Sequence, residues 1–256
     1  MVHDLQEVYS SNKKGFMNKI IRFFIHKVEK KCYSNCNKLI FLSNEMKEEA
    51  KHLYDLEEQK LEVQYPFINL TGKNSNSLEP ILSSEINNIV YSGALGEKQN
   101  PLGLYDFFNF ASTKMINTEF HFFSQGSVYE MLKNKNKNKK IKFHNLVHKN
   151  HLEELYKRST IQIVPQAPNT SKGSLPSKLP NLLASGCKVL VITDKNSELQ
   201  QLFKMYKLEM ITNSWQKEKL LECLNNLLKT THNQEFQKKV AKKLFTIQEM
   251  IYKVLA

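Results

Sequence analysis

The stretch SLPSKLPNLLASGCKVLVITD, residues 174–194, reads as a loop, a short helix, a glycine stop and a buried strand. Ser177 has the side chain of an N-cap. Pro180 then falls in the first helical turn, where its missing N–H removes no helical hydrogen bond. Gly186 is the expected helix stop. Val189-Leu190-Val191-Ile192 lacks the polar alternation of a half-solvated strand, so a parallel strand covered on both faces is predicted. A helix start at Ser177 leaves N–H groups near Lys178 and Leu179 without intrahelical partners. With the Lys178 ammonium beside them they predict an anion site, most naturally for a phosphate.

Working outward, NIVYSGALGEKQN at residues 88–100 is a strand that runs into two glycines. Gly93 and Gly96 let the backbone turn and approach a ligand closely, and Lys98 and Gln99 follow them. Between and beyond these segments the pattern alternates. Strands are predicted at 88–92, 118–123, 141–145, 160–164, 188–193 and 208–212. Helices are predicted at 101–113, 127–133, 150–158, 177–185, 196–204 and 215–228. Six βα units in succession predict an α/β fold, a doubly wound, Rossmann-like parallel sheet. Ligands of such sheets sit beyond the carboxyl ends of the strands, which adds the Ser124-Gln125-Gly126 turn, residues 145–148, the loop 166–177 and Thr193-Asp194 to the candidate site.

The two segments carry a resemblance. Residues 176–186, PSKLPNLLASG, resemble the PSKL…LASG motif of family-4 glycosyltransferases of the two-domain GT-B class, near the bacterial colanic-acid type. YSGALGEKQ at 91–99 resembles the first strand and loop of their donor domain. The two lie in the family's order, about 80 residues apart. The resemblance runs from His3 to roughly residue 230. It implies donor-binding roles for Gly93, Gly96, Lys98, Gln99, Gly126, Ser177, Lys178 and Asn181. The residues also admit plainer readings: a solvent-facing Lys98, a turn glycine at 126, a surface His148, and a helix-capping acid at Glu198. Many members carry two glutamates around the PSKL helix; the later aligns with Asn181 and the earlier with Gly173. Many have arginine after the first-loop glycine, where Ala94 stands. These departures remove the family's usual side chains around the donor ribose, and no catalytic residue is assigned.

The resemblance implies transfer of a sugar, with retention, from a nucleoside diphosphate-sugar to a surface-glycan or lipid-linked acceptor. The donor is the substrate; no separate cofactor is implied, and no metal constellation is visible. HDL at 3–5 would begin a loop late in the N-terminal domain, so the expected division is as follows. Residues 1–66 are the end of an acceptor domain, 67–87 a linker, 88–230 the donor domain and 231–256 a helix crossing back. The first βα units of the acceptor domain would be missing, to be supplied by another chain. The competing reading is a donor-domain remnant that binds nucleotide-sugar, or pairs with a partner, without catalysing.

Composition bounds the partners. The 256 residues are 41% hydrophobic and 24% charged, as in globular proteins, and no apolar run approaches the ~20 residues that span a bilayer. The N-terminus has no signal-peptide core, and four cysteines suit a reducing cytoplasm. Net charge is +12, which favours anionic partners. The excess is lysine; Arg22 and Arg158 are the only arginines, so nucleic acid is not an expected partner.

The helix predicted at 17–33 leaves two alternatives open. Ile20, Ile21, Phe23, Phe24, Ile25 and Val28 make it a core helix of the acceptor domain, or a surface for anionic lipid at the inner face of a membrane. Lys13, Lys14, Lys19, Arg22, Lys27, Lys30 and Lys31 lie on or beside it. Residues 1–10 read as a strand end and a loop. The last helix, 234–255, carries Phe236, Val240, Leu244, Ile247, Ile251 and Val254 as a packing stripe.

Overall fold

A computed structural model describes residues 1–11, 15–70, 77–173, 175–208, 211–248 and 251–252. After the N-terminal helices α1 (Gln6–Ser11) and α2 (Phe16–Ser34) come β1 (Leu39–Phe41), α3 (Asn44–Tyr54) and β2 (Leu61–Val63). β3 (Asn87–Ser92), α4 (Pro101–Lys114), β4 (Thr118–Phe123), α5 (Ser127–Lys135) and β5 (Ile141–His144) follow. The chain continues through α6 (Leu152–Arg158), β6 (Ile161–Pro165), α7 (Leu179–Ser185), β7 (Val189–Ile192) and α8 (Glu198–Met205). It ends with β8 (Ile211–Thr212), α9 (Lys217–Lys229) and α10 (Gln234–Leu244).

The larger sheet is parallel throughout, in the order β5-β4-β3-β6-β7-β8. The chain builds outward from β3 to one edge, returns to β6, and builds outward to the other. This is the doubly wound α/β sheet, with its switch point between β3 and β6. Side-chain alternation divides the core. Val90, Phe123, Val164 and Val191 face α6, α7 and α8; Ile89, Tyr91, Phe122, Ile163 and Ile192 face α4, α5 and α9. Every residue of β6 and β7 is buried, which is why neither strand alternates in sequence.

β1 and β2 form a separate parallel pair, and Val2 bridges to Phe41 on the other side of β1. The expected loop after residue 2 is instead a helix from Gln6. α3 joins this lobe to the larger sheet. The Glu198 carboxylate accepts the Glu45 N–H at 2.7 Å, and the Glu45 carboxylate accepts the Glu198 N–H at 3.1 Å. Each glutamate satisfies an N-terminal N–H of the other's helix. Tyr65 and Asn44 also bond Glu198, and burial pushes the Glu45 carboxyl above its ordinary range.

Three readings are corrected. No residue of α2 is buried, so the core-helix alternative fails. α10 ends at Leu244, and after a break the described residues 247–248 and 251–252 are helical again, so the expected helix is interrupted. There the backbone turns so that Phe245 is buried and its carbonyl accepts the Ile68 N–H. Phe236, Ile247 and Ile251 stay exposed, and Val254 lies outside the described residues. α7 begins at Leu179, so Ser177 is not its cap; Lys178 takes that place, and no side chain caps the helix.

A histidine pair sits on the β4–β5 ladder, His121 buried and His144 half-buried. His121 Nδ1 and His144 Nε2 are 3.1 Å apart, and the rings stack beside Phe123. Burial, first, and mutual repulsion hold His121 down at about 3; burial and Lys142 hold His144 at about 4. Both folded values lie below that of an unfolded histidine. The unfolded chain therefore takes up more protons in this window, and stability falls as pH drops from about 6.5 toward 4. His144→Phe should flatten that dependence by an amount on the order of one to a few kcal/mol at pH 4. Urea denaturation between pH 4 and 7 measures it.

Candidate functional site

The carboxyl ends of β3 and β6 part at the switch point, and a cavity of about 290 Å³ opens there. Gly93, Lys98, Gln99, Ser177 and Lys178 all line it. The structure thus brings five of the eight expected residues together. Gly96, Gly126 and Asn181 are not among its lining residues. Gly96 starts the turn at Glu97–Gln99, where its N–H donates to Gln99 Oε1. Gly126 precedes α5 with φ 99° and with open space where a Cβ would stand. Asn181 Oδ1 accepts the Asn69 N–H at 2.7 Å and so ties α7 to the connecting segment.

The first wall is the loop after β3. Gly93 has φ 130°, a region closed to residues with a side chain, and its N–H donates to the Phe123 carbonyl. The Tyr91 hydroxyl donates to the Ala94 carbonyl and fixes the turn from beneath. Lys98 reaches across the opening, where its ammonium pairs with Asp4 at 2.6 Å. This ion pair joins the N-terminal lobe to the cavity rim.

The second wall is the loop between β6 and α7. The Ala167 N–H donates to the Lys98 carbonyl, which links both loops. Asp194 accepts the N–H groups of Asn169 and Ser171. From the other lobe, Glu45 accepts the Ser171 hydroxyl and Glu49 pairs with Lys172. The third wall is apolar: Leu146, Val147, Leu152, Leu155 and Tyr156. A flat ring fits such a wall, and an anionic group fits the lysine side. Sequence reasoning did not single out Tyr91, Leu152, Leu155 or Tyr156. They are apolar or aromatic residues within regular elements, and nothing local marks them as lining a cavity.

Lys178 differs most from expectation. Its ammonium turns inward and donates to the Ser92 carbonyl at 2.9 Å and the Ile163 carbonyl at 3.1 Å. It also lies 4.2 Å from the centroid of the Tyr91 ring. Burial pushes it down to about 7. The Leu179 N–H, expected to be open to an anion, donates to the Pro176 carbonyl. Lys178 borders the cavity and at the same time bridges the two strands that part beneath it. Among the described residues no group of histidine, cysteine and carboxylate side chains could hold a metal ion, and all four cysteines are free thiols.

No family model and no curated protein sequence matches the chain. Solved structures do. A sucrose-phosphate synthase from Thermosynechococcus elongatus superposes with a TM-score of 0.71 at 13% identity, over 91% of this chain and 61% of that one. WaaG, a glycosyltransferase involved in lipopolysaccharide biosynthesis, superposes with a TM-score of 0.69 at 13% identity, over 96% and 71%. A glycosyltransferase from Rickettsia africae gives 0.65 at 17% identity, over 89% and 65%. The chain therefore spans less than two thirds of the first of these. The six-stranded parallel sheet with its flanking helices is a Rossmann-like α/β fold consistent with a GT-B C-terminal domain. No transmembrane-length apolar helix occurs among the described residues.

Lys178→Ala should be a stability mutation. It strips two buried carbonyls of their donor and empties the space of the lysine stem, a loss of roughly 2–5 kcal/mol. Chemical denaturation of the variant without ligand measures it; an unchanged midpoint would contradict the bridging role.

Proposed function

We propose that the cavity binds a nucleoside diphosphate-sugar and that the chain serves glycosyl transfer from it, with retention, to a surface-glycan or lipid-linked acceptor. The observation that carries this reading is the place of the cavity. It lies at the switch point, with an apolar wall on one side and Lys98 on the other. The apolar wall suits the base, and the ammonium suits the diphosphate. The glycosyltransferases among the superposing structures support the reaction class.

The colanic-acid-type, family-4 assignment belongs to this proposal and rests on the PSKL and GEKQ segments. So does the division at 66, 87 and 230. The site would work at the cytoplasmic face, with the rest of the acceptor-side cleft coming from a further segment or chain. A second reading has an observation of its own. Of the two lysines lining the cavity, Lys178 is committed to the Ser92 and Ile163 carbonyls, which leaves Lys98 as the cationic contact for a donor. That favours a nucleotide-sugar-binding subunit that needs a partner for turnover.

Calorimetry against UDP-, GDP- and ADP-sugars tests binding. Lys98→Ala should weaken it by roughly 10- to 100-fold, the loss of one charge-assisted contact. Asp4→Asn should tighten it several-fold, because the diphosphate no longer displaces a carboxylate from Lys98. Unchanged affinity in both variants would move the site elsewhere. Sugar transfer by the purified 256-residue chain should be absent or slight, because donor and acceptor must be held in one cleft. A radiolabel transfer assay separates the two readings: robust turnover by this chain alone removes the need for a partner.

A further inference from the structure

α2 is inverted. Arg22, His26, Glu29 and Tyr33, at spacings of four, three and four, share one face, and that face is turned inward. The Glu29 carboxylate accepts the N–H groups of Gln6 and Glu7 at the start of α1, and the hydroxyls of Tyr33 and Tyr54. Arg22 and His26 both reach Glu7. The opposite side carries two neighbouring ridges: Phe16, Ile20 and Phe23, then Met17, Ile21, Phe24 and Val28. These seven side chains are 37–78% exposed. A contiguous patch of this kind exceeds the scattered apolar residues of an ordinary surface.

The helix has no easy way to hide that patch. Rolling it inward would strip Glu29 of the Gln6 and Glu7 N–H groups and the Tyr54 hydroxyl, and would part Glu7 from Arg22 and His26. The charge around the patch is of one sign. Glu29 is the helix's only acid and points inward, whereas Lys19, Lys27, Lys30 and Lys31 form no ion pair among the described residues. Lys27 instead lies 4.7 Å from the Phe23 ring centroid. A protein partner would leave that charge needing scattered acidic matches. A planar anionic surface above an apolar layer matches both features together.

We propose that α2 lies along the interface of a membrane that carries anionic lipid. Its ridges enter the acyl boundary over a length of about 18 Å, and its lysines meet the headgroups. α1, on which α2 packs, also touches the turn Ser171–Gly173 of the cavity's second wall. Asp4, just before α1, pairs with Lys98 at the rim. The lipid surface therefore stands one helix away from the cavity. That this serves a lipid-linked acceptor rests on the proposed function; the lipid binding does not.

Co-sedimentation of the whole chain with phosphatidylcholine vesicles, and with vesicles rich in phosphatidylglycerol, tests the proposal. Strong binding to the anionic vesicles and at least tenfold weaker binding to the neutral ones is expected. Lys27→Gln with Lys30→Gln and Lys31→Gln should cost about a hundredfold. Ile20→Ser with Phe24→Ser should abolish binding without lowering the melting temperature, because no residue of α2 belongs to the buried core. In Phe24→Trp the indole emission should shift to the blue on anionic vesicles only. Equal binding to both lipids, or to neither, overturns the proposal. So does a lipid-free dimer lost in the Ile20→Ser, Phe24→Ser variant, which would assign the face to a second copy. Failure of the nucleotide site would appear in the Lys98 calorimetry and leave the vesicle result unchanged.

Discussion

The parting of β3 and β6 is the constraint on which the rest depends. Two adjacent parallel strands whose crossovers leave in opposite directions must diverge, and divergence ends their hydrogen bonding. Here the pairing stops at Val90 and Gln162, which leaves the Ser92 and Ile163 carbonyls to be satisfied. Lys178 arrives from the start of α7 and satisfies both. The ammonium thus turns a gap into a fixed floor, with the Tyr91 ring under it. The loops above that floor are fixed to one another by the Ala167–Lys98 backbone bond.

This explains what was legible in the sequence and what was not. The six βα units could be read because burial on both faces leaves uninterrupted runs such as 189–192, and glycines mark where strands give way to loops. Gly93 and Lys98 could be placed at the rim for the same reason. The direction of the Lys178 ammonium could not. It is decided by carbonyls 86 and 15 residues away, whose need exists only once the strands have parted. From the local pattern alone, a lysine near a helix start implies an anion. Ser177 misled in the same way: a good capping side chain stood one residue too early for a helix that begins at Leu179.

The N-terminal helix shows the same limit from the opposite side. Counting apolar residues along α2 predicts a core face, because apolar faces usually turn inward. The outcome was set by Glu29, which finds the start of α1 and two tyrosine hydroxyls on one side only. One half-buried carboxylate, with three donors from outside its own helix, outweighed the hydrophobic stripe. Sequence periodicity locates a face; it takes the partner's donors to say which way the face points.

The exchanged caps of Glu45 and Glu198 have a mechanical consequence. Each bond joins the same two helix ends, in opposite senses, and each carboxylate is held by groups that also come from the far side. A small rotation between the lobes would loosen both bonds at once. Intermediate openings are therefore the costly ones, because two helix-end N–H groups lose their acceptors together. Such a joint does not behave as a spring. It stays shut under modest load and then lets go in one step, so lobe separation would populate two positions with little between them.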